Sequence, residues 1–425
     1  MGVSIQAVLT EGFACPVRDV LWGHIYLTRE LAALTDSAPF MRLHRILQLG
    51  PVHRLYPGAT HTRASHSIGV YHLGRRLLQH LAGRGADWIS REGAMSFLCA
   101  CLLHDLGHFP YTHSLKDLPL RNHEALTADI ILKEPVKSLV AQCGASPELA
   151  AAIVSEECSR AIAGGNAELL FYRKLLSGCL DPDKLDYLNR DARYCGVPYG
   201  IQDVDFVMSG LIPNRERGAD IDARLIPNVE SILFARYLMY RTVYWHRHVR
   251  ACTAMIKKAL LGALESGSIA GEELYGLDDQ SLFALLREKT GSALADAVWK
   301  GRPYSVAAEI PYDEAAHACL KDIGRRSAYE SRLAQELRSA GIALDSGDPI
   351  IDLPEPISFD TGLFVLDEGR SFVGSTSAFT TETMNSFVRA LYTIRIFGDQ
   401  DFCGKLETTP KLCTILYRVE DWLRS

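Results

Sequence analysis

The sequence predicts a mainly α-helical protein with a smaller C-terminal domain of mixed α+β type. Apolar residues recur at helical spacing through the first part of the chain, whereas short apolar segments bounded by proline and glycine appear after about residue 265. The chain has 425 residues, which is more than one compact core usually holds. We therefore predict a helical core over residues 1–265 and an α+β domain over residues 266–425.

Four helical segments follow one another in the predicted core. The first begins near His66, and the second ends by Gly107 and Pro110. Their apolar positions are Val70, Leu73, Leu77 and Leu81 in the first, and Met95, Leu98, Cys99 and Leu102 in the second. Two later segments have residues at i, i+4 and i+8, hence on one face: Asp183, Tyr187 and Asp191, then Arg236, Tyr240 and Tyr244.

Between and after these helices, the pattern changes twice. Residues 213–220 are polar and rich in turn formers, which predicts an exposed loop. Residues 350–353 and 357–366 predict strands, with prolines and glycines around them. A packed amphipathic helix is then predicted by the spacing of Met384, Phe387, Val388 and Leu391.

Composition and charge restrict the class of partner. The chain is 48% hydrophobic and 23% charged, with a formal net charge of -6 and no dense run of lysine and arginine. These values are typical of a globular protein, and we expect no general nucleic-acid surface. A phosphate-bearing substrate must then be bound by a few local cations.

The cysteine content and the length of the apolar runs bear on the cellular compartment of the protein. The 11 cysteines are odd in number and form no CxxC pair, and the start of the chain has no basic segment followed by an apolar stretch. No apolar run approaches the ~20 residues of a membrane span. We expect a cytoplasmic protein with reduced thiols and no membrane partner.

A histidine–aspartate doublet, His104-Asp105, closes the apolar run 97–103. Imidazole and carboxylate side by side are poor core residues but suit borderline-hard cations. His66 and Asp183 each stand at the head of another predicted helix. The four side chains could surround one cation inside a helical bundle and leave positions open for water and substrate.

The series His66, His104-Asp105 and Asp183 resembles the H…HD…D signature of the HD-domain metal-dependent phosphohydrolases, here over residues 66–191. Longer strings resemble the deoxynucleoside triphosphate triphosphohydrolase branch of that superfamily. They are residues 45–50, 56–63, 65–70, 104–108 and 183–187, with Arg190 and Asp191. The match covers roughly residues 18–260 and is specific as a set.

The resemblance implies hydrolysis of a dNTP to a deoxynucleoside and inorganic triphosphate. It also implies a divalent transition metal, Mn, Fe, Zn or Ni, at His66, His104, Asp105 and Asp183, with Mg bound to the substrate triphosphate. Such a metal lowers the pKa of bound water and polarises the α-phosphate. The 5′ oxygen is a poor leaving group unless a general acid protonates it.

The same resemblance implies roles for the residues around the metal. His113 is the candidate acid, and His108 and His123 contact the phosphates or orient it. Arg63, Lys184, Arg236 and Arg241 fall at positions that clasp phosphates, and Tyr240 falls beside them. Contacts to the sugar are implied for Gln48, Leu49, Tyr187, Asp191 and Tyr244, with the tyrosines closing against a ribose 2′-hydroxyl.

The chain departs from the family pattern at a few of these positions. Tyr240 stands where animal relatives have a histidine, and Lys116 where they have an aspartate that supports the catalytic histidine; Asp117 is the candidate substitute. Met41 and His44 replace the residues that read a guanine activator, so we expect no guanine-specific activator site of that kind.

Two other functions remain open from the sequence. One is a different HD phosphohydrolase, acting on a nucleoside monophosphate or on a cyclic or modified nucleotide. The other is a nucleotide sensor that binds ligand without turnover. Members of the family form dimers or larger rings, so the resemblance also implies a homo-oligomer.

Overall fold

The computed structural model describes residues 4–162, 166–339, 344, 348–359, 361–399 and 402–403. In the first part of the chain the elements are α1 (Ile5–Val8), β1 (Cys15–Asp19), β2 (Gly23–Leu27), α2 (Arg29–Thr35), α3 (Ala38–Leu43), α4 (Arg63–Gly83), α5 (Arg91–Leu103), α6 (His123–Ile131), α7 (Val136–Gln142), α8 (Pro147–Val154), α9 (Glu156–Ile162), α10 (Leu169–Leu176), α11 (Pro182–Cys195), α12 (Val204–Ser209), β3 (Leu211–Asn214), β4 (Gly218–Ile221), α13 (Ile226–Met239) and α14 (Arg247–Glu265).

The second part continues with shorter elements. They are α15 (Asp279–Thr290), α16 (Ala293–Trp299), β5 (Ser305–Pro311), α17 (Glu314–His317), α18 (Ile323–Ser339), β6 (Ile350–Asp352), β7 (Phe364–Val365), β8 (Arg370–Ser371), α19 (Phe372–Ser375), α20 (Thr381–Leu391) and β9 (Thr393–Gly398). The predicted mainly helical fold class with strands in the C-terminal part is therefore confirmed.

Helix α4 packs against both α5 and α11, and the three helices form the centre of the helical bundle. Side-chain caps set where each begins: Thr62 accepts from the Ser65 amide before α4, Ser90 from the Gly93 amide before α5, and Asp181 from the Lys184 amide before α11. Residues 93–103 of α5 are all buried, as its continuous apolar sequence requires. The predicted metal ligands His66, His104 and Asp183 lie close to the ends of these helices.

Three predicted elements differ from the structure. Residues 213–220 form most of the β3–β4 hairpin, not an exposed loop, because the Asn214 side chain accepts from the amides of Glu216 and Arg217 and Gly218 adopts a φ of 81°. In 357–366 only Phe364 and Val365 are a strand; residue 360 lies outside the described residues. Tyr240–Tyr244 is a π-helical turn after α13, so the fourth predicted helix is not continuous.

The two parts of the chain share a sheet. Strands β3 and β4 pair antiparallel, β4 pairs parallel with β7, and β7 pairs with β8, while β5, β9 and β6 form a separate antiparallel sheet. The division at residue 265 coincides with the end of α14 and stays a prediction. Among the described residues, no helix is both long and apolar enough to cross a membrane.

Candidate metal centre and substrate cavity

Three side chains from three helices meet at one point. His66 lies in the first turn of α4, His104 directly follows α5, and Asp183 lies in the first turn of α11. Their potential ligand atoms all lie within 4.8 Å of one another. Asp183 Oδ1 is 3.0 Å from His66 Nε2 and 3.8 Å from His104 Nε2. This donor set, two imidazoles and a carboxylate, suits a divalent cation.

The other ring nitrogen of each histidine is already hydrogen-bonded. His66 Nδ1 lies 2.9 Å from Asp186 Oδ2, and His104 Nδ1 lies 2.9 Å from the Cys101 carbonyl oxygen. Such bonds orient the rings so that Nε2 is directed at the centre, as in histidine ligands of metal sites. His104 Nε2 is buried and has no hydrogen-bond partner in the structure, which a bound cation would supply.

Asp105 lies beside this cluster and is not one of its three members. Its Oδ2 is 2.7 Å from Arg63 Nη1, and its Oδ1 is 3.1 Å from His108 Nδ1 and 3.3 Å from His104 Nε2. Burial disfavours the carboxylate, but His108, His104 and Arg63 outweigh it and hold the pKa of Asp105 well below its usual range. The side chain is therefore ionised, and its predicted role as a ligand stays a prediction.

A buried ion pair that the sequence analysis missed supports the centre. Arg190 is 0% exposed and donates from Nε and Nη2 to both oxygens of Asp186 at 2.8 and 2.9 Å, and from Nη1 to Asp19 at 2.9 Å. Trp22 Nε1 also donates to Asp186 Oδ1 at 2.6 Å. The i, i+3 and i, i+4 spacing of Asp183, Asp186 and Arg190 was the available signal, but Asp19 and Trp22 are distant in sequence.

Three further histidines form a second cluster next to the first. The ring centroids of His108 and His123 are 3.9 Å apart, and His108 Nε2 lies 3.1 Å from His113 Nε2. Burial lowers the pKa of His123 to about 4, although Asp105 opposes this, and Arg63 and Lys116 lower it further. A neutral imidazole can both donate and accept a proton, which general acid–base chemistry requires.

The two clusters open into one cavity of about 520 Å³. Most of the predicted site residues line it: Gln48, Leu49, Arg63, His66, His104, Asp105, His108, His113, His123, Asp183, Tyr187, Asp191, Tyr240 and Tyr244. The Gln48 side-chain oxygen and Arg63 Nε are buried without a hydrogen-bond partner. An unpaired acceptor and an unpaired donor in a cavity wall are groups that a polar ligand would satisfy.

Residues 63–190 match the family model of the HD domain, and residues 215–391 match that of the HD associated region. The chain contains an HD domain. The predicted resemblance to the HD-domain phosphohydrolases is thereby confirmed.

Known relatives of the HD-domain protein are similar over part of their length. The uncharacterized protein YwfO of Bacillus subtilis is 33% identical over 246 residues, which are 57% of this chain and 52% of YwfO. The deoxynucleoside triphosphate triphosphohydrolase SAMHD1 of Homo sapiens is 26% identical over 284 residues, which are 60% of this chain and 45% of SAMHD1. The HD-domain protein thus spans about half the length of these curated relatives.

Among solved structures, a phosphohydrolase from Bacteroides thetaiotaomicron superposes with a TM-score of 0.69 at 22% identity. The match covers 91% of this chain and 99% of that chain. At this level of identity the likeness establishes a shared fold across nearly the whole chain, including the region after residue 265.

Three cations predicted to clasp phosphates do not line the cavity of the HD-domain protein. Lys184 Nζ donates to Asp181 Oδ2 at 2.6 Å, and Arg236 is buried with its guanidinium over the Phe359 ring at 5.3 Å. The exposed Arg241 donates to the Tyr237 hydroxyl at 2.8 Å. The resemblance implied phosphate contacts for these residues, whereas in the structure their side chains contact neighbouring parts of the protein.

The predicted sugar contacts are partly engaged within the HD-domain protein. Asp191 Oδ1 lies 2.8 Å from Nε2 of the buried His61, and Asp191 Oδ2 accepts from the Tyr244 hydroxyl at 2.7 Å. Tyr244 also contacts the rings of Tyr187 and Tyr240, with centroids 6.4 and 5.1 Å away. His61 was not foreseen; it acts on the cavity only through Asp191.

The predicted substitute for the supporting aspartate does not contact the histidine cluster. Asp117 is ion-paired with Lys257, at 2.9 Å, and with Arg326. These partners come from α14 and α18. Asp117 therefore anchors its loop to those helices, while Lys116 next to it lines the cavity.

Proposed function

We propose that this HD-domain protein hydrolyses deoxynucleoside triphosphates to deoxynucleoside and inorganic triphosphate. The observation that carries the proposal is that the three-residue metal cluster and the three-histidine cluster open into the same cavity. A divalent cation at His66, His104 and Asp183 would supply Lewis acidity toward a phosphate oxygen and toward water. The metals proposed are Mn, Fe, Zn or Ni at this centre, and Mg with the triphosphate.

The protein's own residues would carry the proton transfers and the charge. Water adds to the α-phosphorus and loses a proton, the bond from that phosphorus to the 5′ oxygen breaks, and the 5′ oxygen gains a proton. His113 is the proposed donor, and its Nε2 can exchange hydrogen-bonding roles with that of His108, 3.1 Å away. Arg63, with Nε unpaired, is the proposed contact to the α-phosphate.

The sugar would lie against Gln48 and the tyrosines. The unpaired Gln48 oxygen can accept from a 3′-hydroxyl, and Asp191 is held in place by His61 and Tyr244. Tyr187 and Tyr244 would then exclude a ribose 2′-hydroxyl by occupying its space. We expect Tyr187→Ala to raise the ratio of NTP to dNTP hydrolysis, measured as kcat/KM for each, and Tyr275→Phe, outside the cavity, to leave that ratio unchanged.

One product assay separates the proposal from its alternatives. Protein loaded with a defined metal is incubated separately with each dNTP and NTP and with nucleoside monophosphates and cyclic nucleotides, and nucleoside and all released phosphates are quantified. Equimolar nucleoside and triphosphate support the proposal. Orthophosphate or pyrophosphate, or activity only on monophosphates or cyclic nucleotides, would indicate a different HD phosphohydrolase. Tight dNTP binding with no product would indicate a sensor.

We further propose a homo-oligomer, by analogy with the family. Sedimentation velocity of the metal-loaded protein across a range of concentrations tests this, and a monomer at every concentration would contradict it.

A further inference from the structure

Four cationic side chains line the cavity among the described residues, and their charges are not equally available. They are Arg63, Lys116, Arg173 and Arg250. Arg63 pairs with Asp105, and Arg250 pairs with Asp352 and Glu355. Lys116 and Arg173 form no ion pair with any carboxylate that the structure describes, so their charge is free to act on a ligand.

The exposed Lys116 lies next to the histidine cluster. It directly follows the short 3₁₀ turn Thr112–Leu115, which carries His113. Its charge is also close enough to contribute to the lowered pKa of His123. A flexible ammonium group at this point can reach a phosphate oxygen held beside those histidines.

Arg173 lies in α10 and lines the same cavity. Its Nη1 donates to the carbonyl oxygens of Ala152 and Ile153, at 2.8 and 3.3 Å, which orients the guanidinium at the end of α8. Lys116 and Arg173 both act electrostatically on Glu124, another residue that lines the cavity and whose pKa burial raises. The two cations therefore line one cavity and both lie within electrostatic reach of Glu124.

The backbone at Lys116 is anchored through its neighbour Asp117. The carboxylate of Asp117 bonds to Lys257 and Arg326, two buried cations on α14 and α18. These ion pairs fix the segment from which the Lys116 side chain lines the cavity.

We propose that Lys116 and Arg173 form a phosphate-binding arm that holds the polyphosphate of the substrate beside the histidine cluster. The inference rests on the proposed function and deepens it. It adds two residues to the phosphate contacts that the resemblance implies, of which Lys184, Arg236 and Arg241 do not line the cavity. Animal relatives in the family have an aspartate where this chain has Lys116. Phosphate binding by Lys116 would therefore be a feature in which this chain differs from those relatives.

The probe is inorganic triphosphate, titrated calorimetrically into metal-loaded protein at fixed ionic strength. We expect Lys116→Gln to raise Kd roughly tenfold, the loss expected for one charge-assisted hydrogen bond, and Lys116→Asp to raise it further. Lys116→Arg should retain most of the affinity. Arg173→Gln should also weaken binding, whereas Lys174→Gln, an exposed neighbour outside the cavity, should leave Kd within about twofold of wild type.

Since the Lys116 side chain is exposed, Lys116→Gln should keep the wild-type unfolding midpoint. The Kd of this variant therefore tests the phosphate-binding arm even if Arg173→Gln misfolds. A Kd for Lys116→Gln equal to that of Lys174→Gln would overturn the arm. If the wild type releases no inorganic triphosphate from any dNTP, the proposed function fails; a Lys116-dependent Kd in that case would still establish the arm as a polyphosphate site.

Discussion

His66 Nδ1 lies 2.9 Å from Asp186 Oδ2, and His66 Nε2 lies 3.0 Å from Asp183 Oδ1. Burial disfavours the charged imidazole, but the hydrogen bonds with these two carboxylates outweigh it and raise the pKa of His66 to about 10. A cation at the centre would take the place of the proton on Nε2. Asp186, which is 0% exposed, thereby acts on the metal centre through His66.

Removing a direct ligand should abolish metal binding. We expect His104→Ala and Asp183→Ala to retain less than about one-tenth of the wild-type metal content and to lose hydrolysis, since a site of so few protein ligands tolerates the loss of one poorly. Metal is measured by mass spectrometry of the purified protein. The control is His24→Ala, because His24 is exposed and distant in sequence from the three candidate ligands. Unchanged metal content in both ligand variants would refute the site.

Asp186→Asn should weaken the metal centre without removing a ligand. An amide accepts a weaker hydrogen bond from His66 Nδ1 and leaves Arg190 with less compensation, so metal affinity should fall about 10- to 100-fold. Competition with a chelator of known affinity measures it. Asp205→Asn, which alters an exposed pair with Arg76, should leave the metal affinity unchanged. Equal affinities in the two variants would show that Asp186 does not orient His66.

Gly69→Ala should disrupt the same support from the side of α4. A Cβ at Gly69 would lie 1.9 Å from Asp186 Oδ1 and 2.5 Å from Arg190 Nη2, so the buried ion pair must move. We expect a loss of about 1–3 kcal/mol in the free energy of unfolding, together with weaker metal binding. A Cβ at Gly262 in α14 would meet no atom within 4 Å, so Gly262→Ala should stabilise the folded protein by up to about 1 kcal/mol. Denaturant titration of both variants provides the comparison.

Asp279→Asn should stabilise the protein at neutral pH. Burial raises the pKa of Asp279 from 3.8 to about 6, although the Leu47 amide, which donates to Oδ2 at 2.9 Å, favours the carboxylate. Between these values the folded state binds more protons than the unfolded state, so stability falls as pH rises through the window, and the penalty is complete above it.

The asparagine variant keeps an acceptor for the Leu47 amide and carries no charge. We therefore expect a gain of up to about 3 kcal/mol above pH 7 that shrinks toward zero near pH 4. Denaturant titration at several pH values measures it. Asp278→Asn next to it should give no gain, because hydrogen bonds with Arg45 and Ser281 outweigh burial and lower the pKa of Asp278. A gain for Asp279→Asn that is independent of pH would contradict the explanation.

Local pattern was sufficient for much of the bundle. The apolar spacing placed α4 and α5, and His66 and Asp183 lie in the first turns of α4 and α11, close to the helix starts that the sequence predicted. The local sequence pattern was insufficient at residues 213–220. A polar turn does not show that the strands on either side of it, β3 and β4, pair with each other or that β4 pairs with β7. The pattern also failed for 357–366, where strand formation depends on a partner strand.

The candidate metal centre shows the same division between local pattern and tertiary contacts. His66, His104 and Asp183 were recognisable because their chemistry and their positions at helix ends are written in short segments of sequence. Asp186 was overlooked, although it lies on the same helix as Asp183, because its function arises only through His66.

The sequence by itself determined the helical core, the metal-binding residue types and the histidine-rich segment beside them, since these depend on helical periodicity and on side-chain chemistry. Only the tertiary structure decided which cations line the cavity, Lys116 and Arg173 among them, and that Asp117 bonds to α14 and α18. A long cationic side chain extends toward whichever carboxylate or carbonyl is within reach, and those partners come from residues far away in the chain.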